Sequence, residues 1–175
     1  EMKQASPWNG DQLFASKSVE WGTPIDLFQQ MNREFMFSMD ACASAGNAKC
    51  PVFLDREEDA LSTDWSTKVG PGQSVWMNPP WGRDIGKFLQ RAVEESTSAK
   101  CICVALVPAA TDTQWWRNWV WMSSEVRLIV GRLRFVRDDG HTGPCPKGAA
   151  LAIFTPWSFG PPKVFMADRT GRVAE

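Results

Sequence analysis

The chain has a single histidine, His141, and no tyrosine among its 175 residues. One imidazole leaves no material for a histidine-rich metal centre, and it nearly excludes a nucleophile–histidine–acid triad. Cysteines number five (Cys42, Cys50, Cys101, Cys103 and Cys145), an odd count without framework spacing. That pattern predicts reduced thiols and a cytoplasmic setting. Cys101 and Cys103 lie one residue apart in the apolar run "CICVALV", where alternate positions of a buried strand explain them better than a zinc ribbon. No metal is expected. No apolar run reaches membrane-spanning length, and "EMKQASPWNG" lacks the apolar segment of a secretion signal.

What is present reads as one soluble globular domain over residues 1–175, with residues 1–20 as an N-terminal extension. The apolar share of 43% and charged share of 22% are ordinary for such a domain. Net charge is −1, but it is unevenly spread: residues 1–82 hold six Lys/Arg against eleven Asp/Glu, and residues 83–175 hold thirteen against nine. Within "VRLIVGRLRFVR", Arg127, Arg132, Arg134 and Arg137 occur without an intervening acid. They form a candidate phosphate-contacting strip; a solvated edge is the alternative.

Apolar periodicity predicts alternating strands and helices. "TPIDLFQQMNREF" carries Thr23 as helix cap, Pro24 at the first helical position and Asp26 in the first turn, with Ile25, Phe28, Met31 and Phe35 at helical spacing. "MFSMD" predicts a strand ending at Asp40, "CPVFLD" a second and "SVWMN" a third. "RDIGKFLQRAVEE" predicts an amphipathic helix burying Ile85, Phe88, Leu89 and Ala92. "CICVALV", a tryptophan-rich helix near "DTQWWRNWVW", "VRLIV" and "AALAIFT" follow. Strands separated by helices imply an α/β domain with a mainly parallel sheet and helices on both faces. Ligands of such folds lie beyond the carboxyl ends of the strands, where Asp40 and Asn78 both fall.

"SVWMNPPWGRDIGKF" is the least ordinary stretch. Two prolines fix φ near −65° and donate no backbone hydrogen bonds, and the residue before each is pushed out of helical space. Asn78-Pro79-Pro80-Trp81 therefore leaves its strand as a stiff spur carrying an amide and an indole. A Pro-Pro turn with a core tryptophan is the plain alternative.

The spur matches the [D/N/S]-P-P-[Y/F/W] motif of amino-group methyltransferases. "TPIDLF", "SMDACASAGNAKC", "EDALSTDW", "VWMNPPWG", "LVPAATDTQWW" and "GRLRF" occur in the order seen in phage-type DNA N6-adenine methyltransferases, the Dam group. The chain resembles that group from about Trp21 to at least Phe154. The resemblance implies a Rossmann-like fold, S-adenosyl-L-methionine as cofactor, and DNA, most often double-stranded, as partner. It also implies methyl transfer to the amine of an adenine flipped out of the duplex. In this family the motif's Asn side-chain oxygen and the first proline's carbonyl accept from the amine's N–H groups, which corresponds here to Asn78 and Pro79. The prolines hold both acceptors in place, and Trp81 stacks on the base. Motifs of this type also serve cytosine N4, RNA adenine and protein glutamine, and a non-catalytic DNA-binding domain could keep the fold.

On the cofactor side, the resemblance places Asp40 near the methionine ammonium, with Ala41, Cys42 and Ala43 lining the cofactor and Asn78 beside it. Trp21, Thr23 and Pro24 resemble the segment that covers the methionine part, and Asp59 the acid that accepts from the cofactor's adenine amine. Asp40 and Asp59 could instead be a cap or a solvated acid. Only Gly46 stands where a glycine-rich turn is expected, and Asp55, Glu57 and Glu58 compete for the ribose hydroxyls. Candidate DNA contacts are Arg83, Thr113, Arg132, Arg134 and Arg137. Residues 132–148, arginine-bearing and punctuated by Gly and Pro, are expected to form a DNA-facing loop. Thr113 or Trp115 would border the target base or backbone; the alternative is capping by Asp112, with Trp116 and Trp119 in the core.

Overall fold

Val75-Trp76-Met77, Val104 to Val107 and Ala149 to Phe154 are apolar at every position. A strand of that kind buries both of its faces, so the sheet it joins must be covered on both sides. A computed structural model, which describes residues 22–136, 142–157 and 160–173, has that layered arrangement. Its strands are β1 (Phe37–Asp40), β2 (Val52–Phe53), β3 (Ser74–Met77), β4 (Ile102–Pro108), β5 (Glu125–Ile129), β6 (Arg134–Val136), β7 (Thr142–Pro144), β8 (Ala149–Phe154) and β9 (Lys163–Ala167). Seven of them make one sheet in the order β2-β1-β3-β4-β8-β5-β9, while β6 and β7 form a separate antiparallel ribbon. The pairs β1–β2, β1–β3, β3–β4 and β5–β9 are parallel. Within that sheet β8 alone runs against its neighbours, β4 and β5. The carboxyl ends of β1 to β5 and β9 consequently share one edge.

Each face of the sheet has its own core. Val75, Met77, Cys103, Ala105, Ala152 and Phe154 point to one side, beneath Ile85, Leu89 and Ala92 of helix α2 (Ile85–Ser98). Trp116 of the short helix α3 (Gln114–Asn118) joins them. Trp76, Val104, Leu106, Leu151 and Ile153 point the other way, onto Leu27, Phe28 and Met31 of helix α1 (Ile25–Phe35). There Phe28, Phe37 and Trp76 meet with ring centroids 5.4–5.7 Å apart. Each large apolar side chain so buried stabilises the fold by about 1.5–3 kcal/mol relative to exposure.

The structure departs from the sequence pattern in four places. Helix α1 starts at Ile25; Pro24, extended at ψ 132°, is its cap residue, and no side chain caps it. Pro24 still closes the first turn, its carbonyl accepting from Phe28 N–H at 3.1 Å. Ile25 is 58% exposed and Leu27 is buried in its place, because the helix face turned to the sheet runs through residues 27, 28 and 31. The α3 cap is Thr113, not Asp112: its hydroxyl accepts from Trp116 N–H at 3.4 Å and donates to the Ala110 carbonyl at 2.7 Å. Residues 132–148 contain the β6–β7 ribbon where a loop was expected. Residues 1–20, Trp21, Arg137 and His141 lie outside the described residues.

Candidate active site

Asp40 ends β1 and is only 3% exposed. One carboxylate oxygen accepts from the Cys42 N–H at 3.3 Å and the other from the Lys49 N–H at 3.1 Å. Burial raises its pKa above the ordinary 3.8, against the lowering effect of those two N–H groups and the Lys49 charge. The chain then turns in small steps. Ala41 N–H reaches back to the Trp76 carbonyl at 2.8 Å, and Ala43 N–H to the Leu54 carbonyl at 3.1 Å. Cys42 lies within the fields of both Asp40 and Asp59, and its thiol is held well above its usual range by burial first and those two carboxylates second. Asp59, at φ 45°, is half-buried and accepts from the Leu61 N–H at 3.1 Å. The structure thus brings Asp40, Ala41, Cys42, Ala43 and Asp59 to one end of β1 and makes that place electronegative.

Asn78-Pro79-Pro80-Trp81 leaves the neighbouring strand at the same edge. Asp40 pairs with Trp76 across β1 and β3, so Asn78 follows two residues beyond that pair. Asn78 is half-buried, Pro79 buried and Pro80 exposed. The Pro80 carbonyl accepts from Gly82 N–H at 3.0 Å; among the described residues nothing donates to the Pro79 carbonyl. The half-buried Trp81 indole N–H donates to the Leu106 carbonyl in β4 at 3.2 Å. Its ring meets Phe135 of β6 edge to face, with centroids 5.3 Å apart. Spur, neighbouring strand and ribbon therefore hold Trp81 together.

Thr23 is buried, and Gly22 just before it bridges to Val136 of β6. Arg83, beside the spur, is exposed, and its charge lowers the pKa of Asp84 after the larger effects of Lys87. Arg132 and Arg134 are exposed and line one small groove with Pro24, Asp26, Leu133 and Arg169. Arg127 does not belong with them. It is 5% exposed, ion-paired to Glu34 and Glu125, bonded to the Gly171 carbonyl at 3.0 Å and set over the Phe35 ring. Burial pulls its pKa down, but the two glutamates outweigh that and hold it above its usual range. The arginine strip thus divides, with Arg127 a buried structural ion pair because β5 side chains alternate between the two faces of the sheet. Of the acids considered for the ribose, Glu58 pairs with Lys68 at 2.6 Å. Asp55 accepts from the Glu57 and Glu58 N–H groups at 2.8 and 3.0 Å.

Residues 11–169 match the family described as DNA N-6-adenine-methyltransferase (Dam). The chain belongs to that family. It is 28% identical over 141 residues to a DNA N-6-adenine-methyltransferase of Haemophilus phage HP1, the match covering 78% of each chain. A putative methyltransferase of Escherichia coli K12, YfdM, is 33% identical over 64 residues, 35% of this chain and 70% of that one. A solved chain of a type I restriction-modification system shows a TM-score of 0.35 at 16% identity, covering 74% of this chain and 32% of that chain; that likeness bears on nothing here. As a member of the family the protein is a DNA N6-adenine methyltransferase, and nothing favours cytosine N4, RNA, protein or a purely binding role. Two residues of this region escaped the sequence pattern: Phe135, read only as part of "GRLRF", and Arg169 in "ADRTGR". Both reach the site through tertiary contacts, so no local spacing marks them.

Proposed function

We propose that the protein transfers a methyl group from S-adenosylmethionine to N6 of an adenine extruded from double-stranded DNA, and that Asn78, Pro79, Pro80 and Trp81 carry the chemistry. The observation that supports this most directly is the juxtaposition of a buried acid, Asp40, with the Asn-Pro-Pro spur on adjacent parallel strands at one sheet edge. The strand order, with β8 antiparallel between β4 and β5, fits a Rossmann-like methyltransferase arrangement in which ligands meet at that edge.

The residues suit a cationic cofactor. Asp40 and Asp59 together make the Cys42 surroundings negative, which matches an ammonium and a sulfonium, and Ala41, Cys42 and Ala43 are small enough for close approach. Asp40 would hold the methionine ammonium, Asp59 the cofactor's adenine amine, and Trp21, Thr23 and Pro24 would cover the methionine part. Asp55, two residues beyond the end of β2, competes with Glu57 and Glu58 for the ribose hydroxyls. When bound, the cofactor supplies an electrophilic methyl group. The chain's own residues prepare the acceptor. The Asn78 side-chain oxygen and the Pro79 carbonyl accept from the two N–H groups of the adenine amine, drawing the nitrogen towards a tetrahedral shape and freeing its lone pair. The prolines prevent those acceptors from relaxing, so their dipoles are aimed before the reaction begins. Trp81 packs on the base, and Arg83, Thr113, Arg132, Arg134 and Arg137 flank the DNA. A cytoplasmic setting follows from DNA as substrate; no helix among the described residues is long and apolar enough to cross a membrane.

The test supplies unmethylated duplex DNA and methyl-labelled cofactor to the wild type and to Asn78→Ala, then separates the nucleosides. Label should appear in N6-methyladenosine with the wild type. The variant should lose at least about a hundredfold in turnover while binding cofactor within a few-fold of the wild type. Label in N4-methylcytosine, or turnover unchanged in the variant, overturns the reading.

A further inference from the structure

Arg132, Arg134 and Arg169 come from two parts of the chain far apart in sequence and line a single groove of about 100 Å³ with Pro24, Asp26 and Leu133. Arg132 and Arg134 follow the carboxyl end of β5, and Arg169 follows that of β9, which runs parallel to β5. The groove therefore opens on the sheet edge that carries Asp40 and the spur. Among the described residues none of the three guanidiniums has an ion-pair or side-chain hydrogen-bond partner. The one acid in the lining, Asp26, spends an oxygen on the Leu27 N–H at 2.9 Å. With the Asp26 carboxylate offsetting one of them, the three guanidiniums still leave the groove with excess positive charge, which an anion would relieve.

The approach of Arg169 is built into the backbone. Gly131, at φ +85°, carries the chain past it so closely that a Cβ there would lie 3.2 Å from the Arg169 Nε. Arg134 adjoins Phe135, whose ring touches Trp81. The ribbon thus ties the groove to the spur, and on the proposed role of Trp81 the strand carrying the extruded base enters at this same edge of the sheet.

We propose that Arg132, Arg134 and Arg169 close together on one backbone phosphate of the strand that carries the target adenine. This rests on DNA as the substrate and on Trp81 as the base-stacking residue, and it assigns Arg169 to the DNA interface. A planar guanidinium offers paired N–H donors matched to phosphate oxygens, and three of them enclose the group as ammonium ions do not. The contact positions the strand and reads no base.

The test uses duplexes carrying one mapped methylation site, with single neutral methylphosphonate linkages walked along the target strand. Binding is measured by fluorescence anisotropy in the presence of S-adenosylhomocysteine, with melting temperature and cofactor affinity as controls for folding. Arg169→Gln should bind the unmodified duplex about tenfold more weakly, with both controls unchanged, and Arg169→Lys should recover part of the loss. One linkage should cost the wild type about tenfold and Arg169→Gln less than about twofold, while other linkages affect both alike. Wild-type affinity in Arg169→Gln, or equal sensitivity of both proteins at every linkage, overturns the groove assignment and leaves the methyltransferase reading intact. Absence of any adenine methylation by the wild type overturns both.

Discussion

Asp40 holds a carboxylate 3% exposed at the end of β1, where burial disfavours its charged form. Two backbone N–H groups offset that only in part, so its pKa stays above the ordinary 3.8. A carboxyl whose folded pKa exceeds its unfolded one stabilises the fold when protonated; that contribution is present below the unfolded value and is lost as pH rises through the folded one. At neutral pH the ionised Asp40 thus works against folding, and the cationic cofactor proposed above would offset it. Cofactor affinity should accordingly fall as pH is lowered below neutral, beginning at higher pH than an ordinary aspartate would produce. Asp40→Asn should bind weakly throughout and show little pH dependence. Isothermal titration over that range decides the matter: a flat wild-type profile removes Asp40 from the ammonium contact.

Elements are joined here by a few buried polar links as well as by apolar packing. Arg127 on β5 pairs with Glu34 on α1 and Glu125 on its own strand, and donates to the Gly171 carbonyl in the turn after β9. Gly171 is itself confined: at φ +81°, a Cβ would fall 2.8 Å from Leu151 and 2.9 Å from Met31. Replacing Arg127 by Met would leave two glutamates unpaired beside a core and a carbonyl without its donor. Since both glutamates are partly exposed, the loss should be about 2 kcal/mol, less than for a fully buried pair. Chemical denaturation gives that figure. The slope of DNA affinity against salt should not change, and a shallower slope would return Arg127 to the DNA interface.

At the scale of the whole molecule, the β6–β7 ribbon links three parts of the site. Val136 bridges to Gly22 beside the segment proposed to cover the cofactor, Phe135 meets Trp81 of the spur, and Arg134 lines the groove. On the roles proposed above, the ribbon would make the DNA contact and the position of the stacking indole depend on each other. Phe135→Leu keeps most of the volume but removes the ring edge. It should lower kcat about tenfold through misplacement of Trp81 and leave cofactor affinity unchanged. Rapid-quench turnover beside a binding titration separates the two effects; if kcat holds, the ribbon does not position the indole.

Asp40, the spur and the alternation of strands and helices were legible in the linear chain because each depends on neighbours in sequence. A proline constrains the residue before it, an apolar run exposes its period, and a strand's carboxyl end follows from where that run stops. The amino acid order by itself also determined that both faces of the sheet would be covered, since β3, β4 and β8 carry no polar face. It could not decide which arginine of "VRLIVGRLRFVR" meets solvent. That depended on Glu34, ninety-three residues from Arg127, and on the direction in which β5 presents its side chains. Nor could it place Thr113 over Asp112 as the cap, or bring Arg169 and Phe135 to the site. Those outcomes belong to tertiary structure, because burial, ion pairing and ring contact act between groups that only the packed sheet brings within a few ångströms of one another.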